Sequence, residues 1–284
     1  MLSPMLLETA AGPFSHSGYI FEPKVDGHRL IYSQQSGSIR LYTRHNNDCT
    51  RQYPELQLPF REDVILDGEV ACVDPDTGVS DFEAVMSRFS AKRSDKIRRL
   101  AASTPVTFVI FDILQYKRQD LRSLPLLERK AILASLDLSS SHVGIMPYVE
   151  GAGEELYAQI ESWGMEGMVC KRKDSKYENR RSSAWLKVIN WSYVDVYIIG
   201  YRRDKFGWLA AVPDPSGRLR PAGIIEHGPG PKQKQAFRGV CSQLVTGEDK
   251  DNIYLEPRIQ ARVKIRNWTK SGMLRSPVFD RFIV

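Results

Sequence analysis

The sequence predicts an α+β chain: antiparallel sheets with a few helices over residues 1–190, then a small β-barrel over residues 191–284. Three observations carry this. Short apolar runs bounded by turn residues recur through the first region at strand length. Three longer stretches there read as helices. After Trp191 the pattern becomes strands around a single helix, and the charge balance shifts with it.

Taken in order, residues 17–22 read as a strand leading into Lys24, and residues 29–34 as the strand that follows. Gln35-Ser36-Gly37-Ser38 is a turn signal, and residues 39–43 another strand. Residues 64–73 and 106–114 are rich in β-branched and apolar side chains and read as buried strands. Residues 81–100 read as one helix with Asp81 as its N-cap, since a short carboxylate can accept from a first-turn amide. Residues 126–135 and 154–163 read as two more helices. Without regular βαβ alternation, the pattern is α+β. In the second region, residues 194–202, 208–212, 219–225 and 259–268 look like strands, and residues 231–244 like the helix. Pro213-Asp214-Pro215-Ser216-Gly217 and Gly228-Pro229-Gly230 break the runs. Five or so strands with one helix suit an OB-fold. The boundary falls near residues 190–193.

A chain of 284 residues is long enough for one large or two modest domains with a full core. It has no run of eighteen apolar residues, so no membrane helix is expected. Met1-Leu2-Ser3-Pro4-Met5-Leu6-Leu7-Glu8 lacks a basic leader region and its apolar stretch is short, so a cytoplasmic protein is expected. Cysteines at 49, 72, 170 and 241 form no C-x-x-C pair and read as reduced thiols, not a zinc ribbon or a disulfide framework. Net charge is +6, but residues 1–190 hold 24 Lys+Arg against 25 Asp+Glu, while residues 191–284 hold 16 against 9. The whole basic excess is C-terminal. That fits either a polyanion contact there or a merely soluble basic surface.

The stretch Lys24-Val25-Asp26-Gly27-His28-Arg29 has the form K-x-D-G-x-R. Four fixed letters recur by chance in about one such chain in five hundred, so alone this is a moderate signal. It is followed in order by Asp67-Gly68-Glu69-Val70, by Phe108-Val109-Ile110-Phe111-Asp112-Ile113-Leu114, by Glu166-Gly167-Met168-Val169-Cys170-Lys171, and by Trp185-Leu186-Lys187-Val188. In that order the set resembles the nucleotidyltransferase motifs of ATP-dependent DNA ligases and their relatives, the RNA ligases and capping guanylyltransferases. The resemblance runs through nearly the whole chain. It implies a nucleotidyltransferase (adenylation) domain at 1–190 and an OB-fold domain at 191–284.

The chemistry so implied is adenylyl transfer in three steps. A lysine attacks the α-phosphorus of ATP and expels pyrophosphate. The AMP passes to a DNA 5′-phosphate. A 3′-hydroxyl then attacks that activated phosphate and releases AMP. An amine attacks only when unprotonated, so the lysine needs a lowered pKa, which burial and nearby cations supply. Lys24 is the expected nucleophile. Asp26 and Gly27 are expected to shape the turn that presents it, the glycine allowing φ > 0 or close approach to a phosphate. The resemblance assigns Glu22 to the adenine amino group, Arg29 to ribose and phosphate, Phe111 to stacking on adenine, and Lys187 to the α-phosphate, with Lys171 a further cofactor-binding candidate. It puts Glu69 near the ribose and Glu166 at the metal, with both carboxylates candidates for Mg2+ or Mn2+. Asp112 is expected to be structural. Thr43-Arg44-His45-Asn46-Asn47-Asp48, with Tyr53-Pro54-Glu55-Leu56 behind it, resembles a second arginine motif in which Arg44 holds the nick 5′-phosphate or the AMP phosphate. The bland alternative for Arg44 is an exposed strand-end arginine. Lys92, Arg93, Lys96, Arg98 and Arg99 read as a solvated face at a helix end, with DNA contact as the alternative.

Two departures stand out. The usual fifth motif has a second lysine where this chain has Ile189, so either Lys187 suffices or another cation such as Lys171 or Lys176 compensates. The last motif, near Thr269-Lys270-Ser271-Gly272-Met273-Leu274-Arg275-Ser276-Pro277-Val278-Phe279, lacks its usual charged run and ends in Asp280-Arg281-Phe282-Ile283-Val284. Lys270, Arg275 and Arg281 remain as cations for the pyrophosphate, with Arg275 the main candidate. With 23 residues before Lys24 and no cysteine pairs, the extra domains of NAD-dependent and large eukaryotic-type ligases do not fit. The nearest resemblance is the ligase module of bacterial end-joining enzymes. It implies nicked double-stranded DNA as substrate, a Ku-type end-binding protein as partner, a monomer, and a nucleoid location when DNA is bound. The alternatives are an RNA ligase, a capping-type guanylyltransferase, or a catalytically silent nucleic-acid-binding OB module.

Overall fold

The backbone of the first region alternates its side chains between two faces, and that alternation builds the molecule's cleft. The computed structural model describes residues 3–58, 60, 62–74, 78–138 and 140–283. Met1 and Leu2 of the N-terminal stretch, and the final Val284, lie outside the described residues. The chain divides into two compact units, Met1–Asn190 and Trp191–Val284.

In the first unit the strands are β1 (Leu6–Thr9), β2 (His16–Pro23), β3 (His28–Gln35), β4 (Ser38–Thr43), β5 (Val64–Ala71), β6 (Thr107–Tyr116), β7 (Gln119–Asp120), β8 (Val143–Ile145), β9 (Val149–Gly151), β10 (Gly167–Arg172) and β11 (Arg181–Ile189). The helices are α1 (Phe82–Phe89), α2 (Ser94–Ser103), α3 (Leu126–Ala134) and α4 (Gly153–Ser162). One sheet has the order β1-β11-β10-β2-β9, the other β4-β3-β5-β6-β7 with β8 beside β6. Most neighbours are antiparallel, as expected. The exceptions are the short strands β1 on β11 and β8 on β6, which are parallel.

Because successive strand residues point to opposite faces, each sheet sorts its side chains. In the second sheet Leu30, Tyr32, Leu66, Val70, Phe108 and Ile110 enter one core, on which α1 packs through Val85. The intervening Ile31, Ile65 and Phe111 enter another, which also receives Ile20 and Trp185 from the first sheet. This shared core sets the two sheets face to face. On its far side the first sheet buries Phe21, Met168, Cys170 and Val188 against Leu156 and Ile160 of α4.

The single helix expected over 81–100 is two. Asp81 does cap the first, accepting from the Ala84 N–H at 3.0 Å. The break has a tertiary cause. Buried Arg88 of α1 donates to the carbonyls of Leu100 and Thr104 at the end of α2, at 3.2 and 2.8 Å, and pairs with Glu55 at 2.7 Å. Folding α2 back satisfies carbonyls that a helix end leaves open. It also gives Tyr53-Pro54-Glu55-Leu56 a packing role, since Tyr53 and Leu56 are fully buried beside this pair.

The second unit contains β12 (Ser192–Arg202), β13 (Trp208–Pro213), β14 (Leu219–Ile225), α5 (Pro231–Cys241), β15 (Val245–Glu248), β16 (Asn252–Ile265) and β17 (Val278–Ile283). They form one sheet ordered β14-β13-β12-β16-β15, with β17 also on β16. A bridge from His227 to Val278 brings the chain after β14 against β17, so the sheet curls towards a barrel. One core runs through β12, β13, β14, β16 and β17 and receives Phe237 and Cys241 of α5. The last long strand starts and ends earlier than its expected 259–268, because Trp268 lies in a loop bridged to Leu274. All four cysteines are free and buried. Burial pushes the thiols of Cys49 and Cys170 up to about 12, and that of Cys72 to about 11. No helix among the described residues is long and apolar enough to cross a membrane.

Candidate active site

Lys24 stands on the short connection from β2 in one sheet to β3 in the other. Its N–H donates to the Gly167 carbonyl at 2.8 Å, and its Nζ lies 2.6 Å from Glu166 Oε2. Glu166 itself is nearly buried. Two glycines make this fit possible. A Cβ on Gly27 would sit 2.0 Å from the Val70 carbonyl oxygen, so the connection packs directly on the β5 backbone. Gly27 has no positive φ. Its requirement is therefore close approach to a neighbouring strand, not a turn conformation. A Cβ on Gly167 would meet the Val188 oxygen at 2.1 Å, and its φ is +148°.

Side-chain alternation brings the other residues to one cleft. From the first sheet come Glu22 of β2 and Lys171 of β10. Arg29 of β3, Glu69 of β5 and Phe111 of β6 come from the second. The cleft holds about 410 Å³ of empty space, its open mouth included. In register, Lys187 of β11 stands opposite Val169 of β10, which stands opposite Glu22. All three thus point to the cleft side of that sheet.

Charges here are tightly paired. Glu22 is buried and its carboxylate lies between Lys171, at 2.7 Å, and Lys130 of α3. Arg29 makes a two-pronged contact with Asp67, at 2.5 and 2.6 Å. Tyr177 donates to the same carboxylate at 2.5 Å. The ring of Phe111 has Arg29 at 4.6 Å and Lys171 at 4.3 Å from its centroid. The Lys171 ammonium also lies 4.2 Å from the Trp185 ring. Burial brings Lys171 down to about 8, although Glu22 pulls the other way.

Burial pushes the half-buried Glu69 carboxyl up to about 7; Lys24 and Arg29 oppose this, while Glu166 and Asp67 add to it. Between its ordinary 4.5 and about 7 the folded chain therefore holds a proton that the unfolded chain has lost. That contribution to stability is complete below pH 4.5 and is lost as pH rises through 7. Glu69→Gln should flatten the stability curve across this window by about 1–2 kcal/mol, allowing for solvent at the open edge. Urea titrations at the two ends of the window check it, and an unchanged slope would count against this environment for Glu69.

The remaining candidates lie elsewhere. Arg44 is exposed on the turn after β4, outside the residues that line the cleft. Arg275 belongs to the second unit, on the loop before β17, where its backbone pairs with Asn267 and Arg266. Asp112 is fully buried and pairs with Arg129 at 2.8 Å through both oxygens, which suits a structural role. Sequence reasoning passed over Asp67, Lys130, Tyr177 and Trp185. Asp67 could have been found, two residues before Glu69 and so on the same strand face. Lys130 carries no local signal, since its partner is 108 residues away.

A family model described as the ATP dependent DNA ligase domain matches residues 4–188. The SPbeta prophage-derived DNA ligase-like protein LigB of Bacillus subtilis is 38% identical over 285 residues, covering 100% of this chain and 99% of that protein. The multifunctional non-homologous end joining DNA repair protein LigD of Mycobacterium tuberculosis is 29% identical over 300 residues, covering 96% of this chain. This chain spans only 37% of the length of that LigD. Among solved structures, mycobacterial DNA ligase D complexed with ATP and MES matches with a TM-score of 0.61 at 28% identity, over 99% of this chain and 95% of that one.

Proposed function

The chain belongs to the ATP-dependent DNA ligase family, and from that premise we propose that its cleft forms a lysyl-AMP on Lys24. The observation that carries this is the meeting of Lys24, Glu22, Arg29, Glu69, Phe111 and Lys171 around one cleft, from strands far apart in sequence. Residues 1–190 act as the adenylation domain and residues 191–284 as the OB-fold domain.

In this reading Lys24 Nζ attacks the α-phosphorus of ATP. The P–N bond forms, the bond to the β-phosphate oxygen breaks, pyrophosphate leaves, and the amine gives up a proton. Glu166 orients the amine through its 2.6 Å contact. Phe111 takes the adenine on its face, where the flat ring of a base can stack. Glu22 accepts from the exocyclic amine. Arg29 faces ribose and phosphate, and Lys171 and Lys187 offer positive charge where negative charge grows in the transition state. Next a DNA 5′-phosphate oxygen attacks the lysyl-AMP and frees Lys24. Finally the 3′-hydroxyl attacks the activated 5′-phosphate, closing the nick and releasing AMP. Arg44, exposed beside the cleft-bearing sheet, is assigned to the nick 5′-phosphate. Arg275 is assigned to pyrophosphate.

Glu69 and Glu166 would hold a divalent cation, Mg2+ or Mn2+. Their chemistry fits: two carboxylates with substrate phosphates are a usual set for Mg2+, and Glu69 is raised partly by the charge of Glu166, which a cation would offset. Among the described residues no group of three or more His, Cys, Asp or Glu gathers at one point, so phosphates would complete the shell. Bound there, the metal would supply positive charge against the phosphates.

In this reading the reaction serves end-joining repair, with a Ku-type end-binding protein as partner and the chain acting as a monomer; the likeness to LigD supports it. The test is a duplex with one 5′-phosphate/3′-hydroxyl nick, labelled ATP and Mg2+. Sealing of DNA strands with ATP is expected. Labelling by GTP in preference to ATP, or sealing of RNA nicks alone, would overturn the assignment.

A further inference from the structure

Glu22 is held in an unusual way for an acceptor that must read a base. Its two carboxylate oxygens each face a buried lysine, Lys130 on Oε1 and Lys171 on Oε2. Lys171 comes from the β10 motif. Lys130 comes from α3, and nothing else places it near a nucleotide. Its ammonium also lies 5.1 Å from the Tyr148 ring.

Helix α3 is pinned where it stands. Arg129, the residue before Lys130, is fully buried. Besides Asp112 of β6 it donates to the carbonyls of Leu124 and Ser175, at 2.6 and 2.9 Å. Lys130 therefore extends from a rigid anchor on the strand that carries Phe111.

We propose that Lys130 is a positioning residue for base selection, holding the Glu22 carboxylate correctly turned so that the cleft takes adenine and refuses guanine. The proposal rests on the reading that this cleft binds ATP with Glu22 at the base. Its chemistry is direct. Adenine presents an N–H donor at its six-position, and guanine an acceptor oxygen. An ionised carboxylate only accepts, so it bonds adenine and repels guanine. A carboxylate held at one oxygen only is free to turn, so adenine loses its fixed acceptor and guanine the group that repels it. Lys171 holds only Oε2, whereas Lys130 holds Oε1. Lys130 is the second cation that keeps the acceptor in place.

The test is self-labelling with α-labelled ATP and α-labelled GTP, in wild type and in Lys130→Met, with thermal melting as a fold check. The ratio of ATP to GTP labelling efficiency should fall at least about tenfold in Lys130→Met, through a raised KM for ATP with kcat nearly kept. Lys130→Arg, which keeps the charge, should restore most of the preference. An unchanged ratio in a folded Lys130→Met overturns the proposal, since a merely structural lysine would lower stability without changing base choice. If Lys130→Met does not fold, Lys130→Gln carries the same test, with the same two outcomes. Failure of the underlying reading looks different: wild type would then take no label from ATP, or Lys24→Ala would still be labelled.

Discussion

Lys24→Ala should take no label when incubated with α-labelled ATP and a divalent cation, a loss of at least about 10³-fold against wild type. The same variant should still seal a nick whose 5′-phosphate already carries AMP, at a rate within about tenfold of wild type. The two results together separate the nucleophile from a binding residue. The last step needs the cleft and the DNA, but no new bond to Lys24. A cation that served only to bind phosphate would slow both steps alike. The structure makes the experiment clean. The Lys24 backbone is fixed by the Gly167 carbonyl and by the close approach of Gly27 to Val70, not by its side chain. Shortening that side chain removes the amine and leaves the connection in place. Label on Lys24→Ala equal to wild type would remove Lys24 from the reaction.

Breaking the Asp112–Arg129 pair should produce the largest stability loss within the first unit. Both side chains are fully buried and joined by two contacts of 2.8 Å. Arg129→Met leaves Asp112 charged, buried and without its main partner, which costs about 3–5 kcal/mol. In a unit of this size that lowers the melting temperature by roughly 10 °C. Replacing both together, Asp112→Leu with Arg129→Met, should recover a good part of the loss, because no lone charge remains buried. Recovery should stay incomplete, since the Leu124 and Ser175 carbonyls lose their donor as well. Urea unfolding of the single and double variants measures all of this. A cost below about 1 kcal/mol for Arg129→Met would mean that water reaches the pair.

Much of this molecule was legible in its sequence, for an identifiable reason. Glu22, Lys24, Arg29, Glu69, Phe111 and Lys171 each sit in a short motif with a recognisable order. Strand alternation then carries them to one cleft, as β2, β3, β5, β6 and β10 show. The mostly antiparallel sheets and the break after Asn190 follow from run lengths and from a change in composition. What stayed hidden depends on three-dimensional partners. Lys130 finds Glu22 across a large sequence separation. Arg88 splits one apparent helix into two by reaching the end of α2. Strands of two to four residues, such as β1, β7 and β8, are too short to display a period of two. The β10 and β11 motifs read as chemistry before they read as strands, although they are both.

The four buried thiols have a practical consequence. A thiolate is the form that reacts, and burial holds Cys49, Cys72 and Cys170 well above the pH of any labelling buffer. Cys241 is shielded in the core of the second unit. The native chain is thus close to inert towards maleimide dyes while it stays folded. A cysteine introduced at one exposed position in each unit would carry a fluorophore pair without first stripping the natural cysteines. Energy transfer between the two dyes could then follow the two units through each of the three chemical steps, on an otherwise unaltered enzyme.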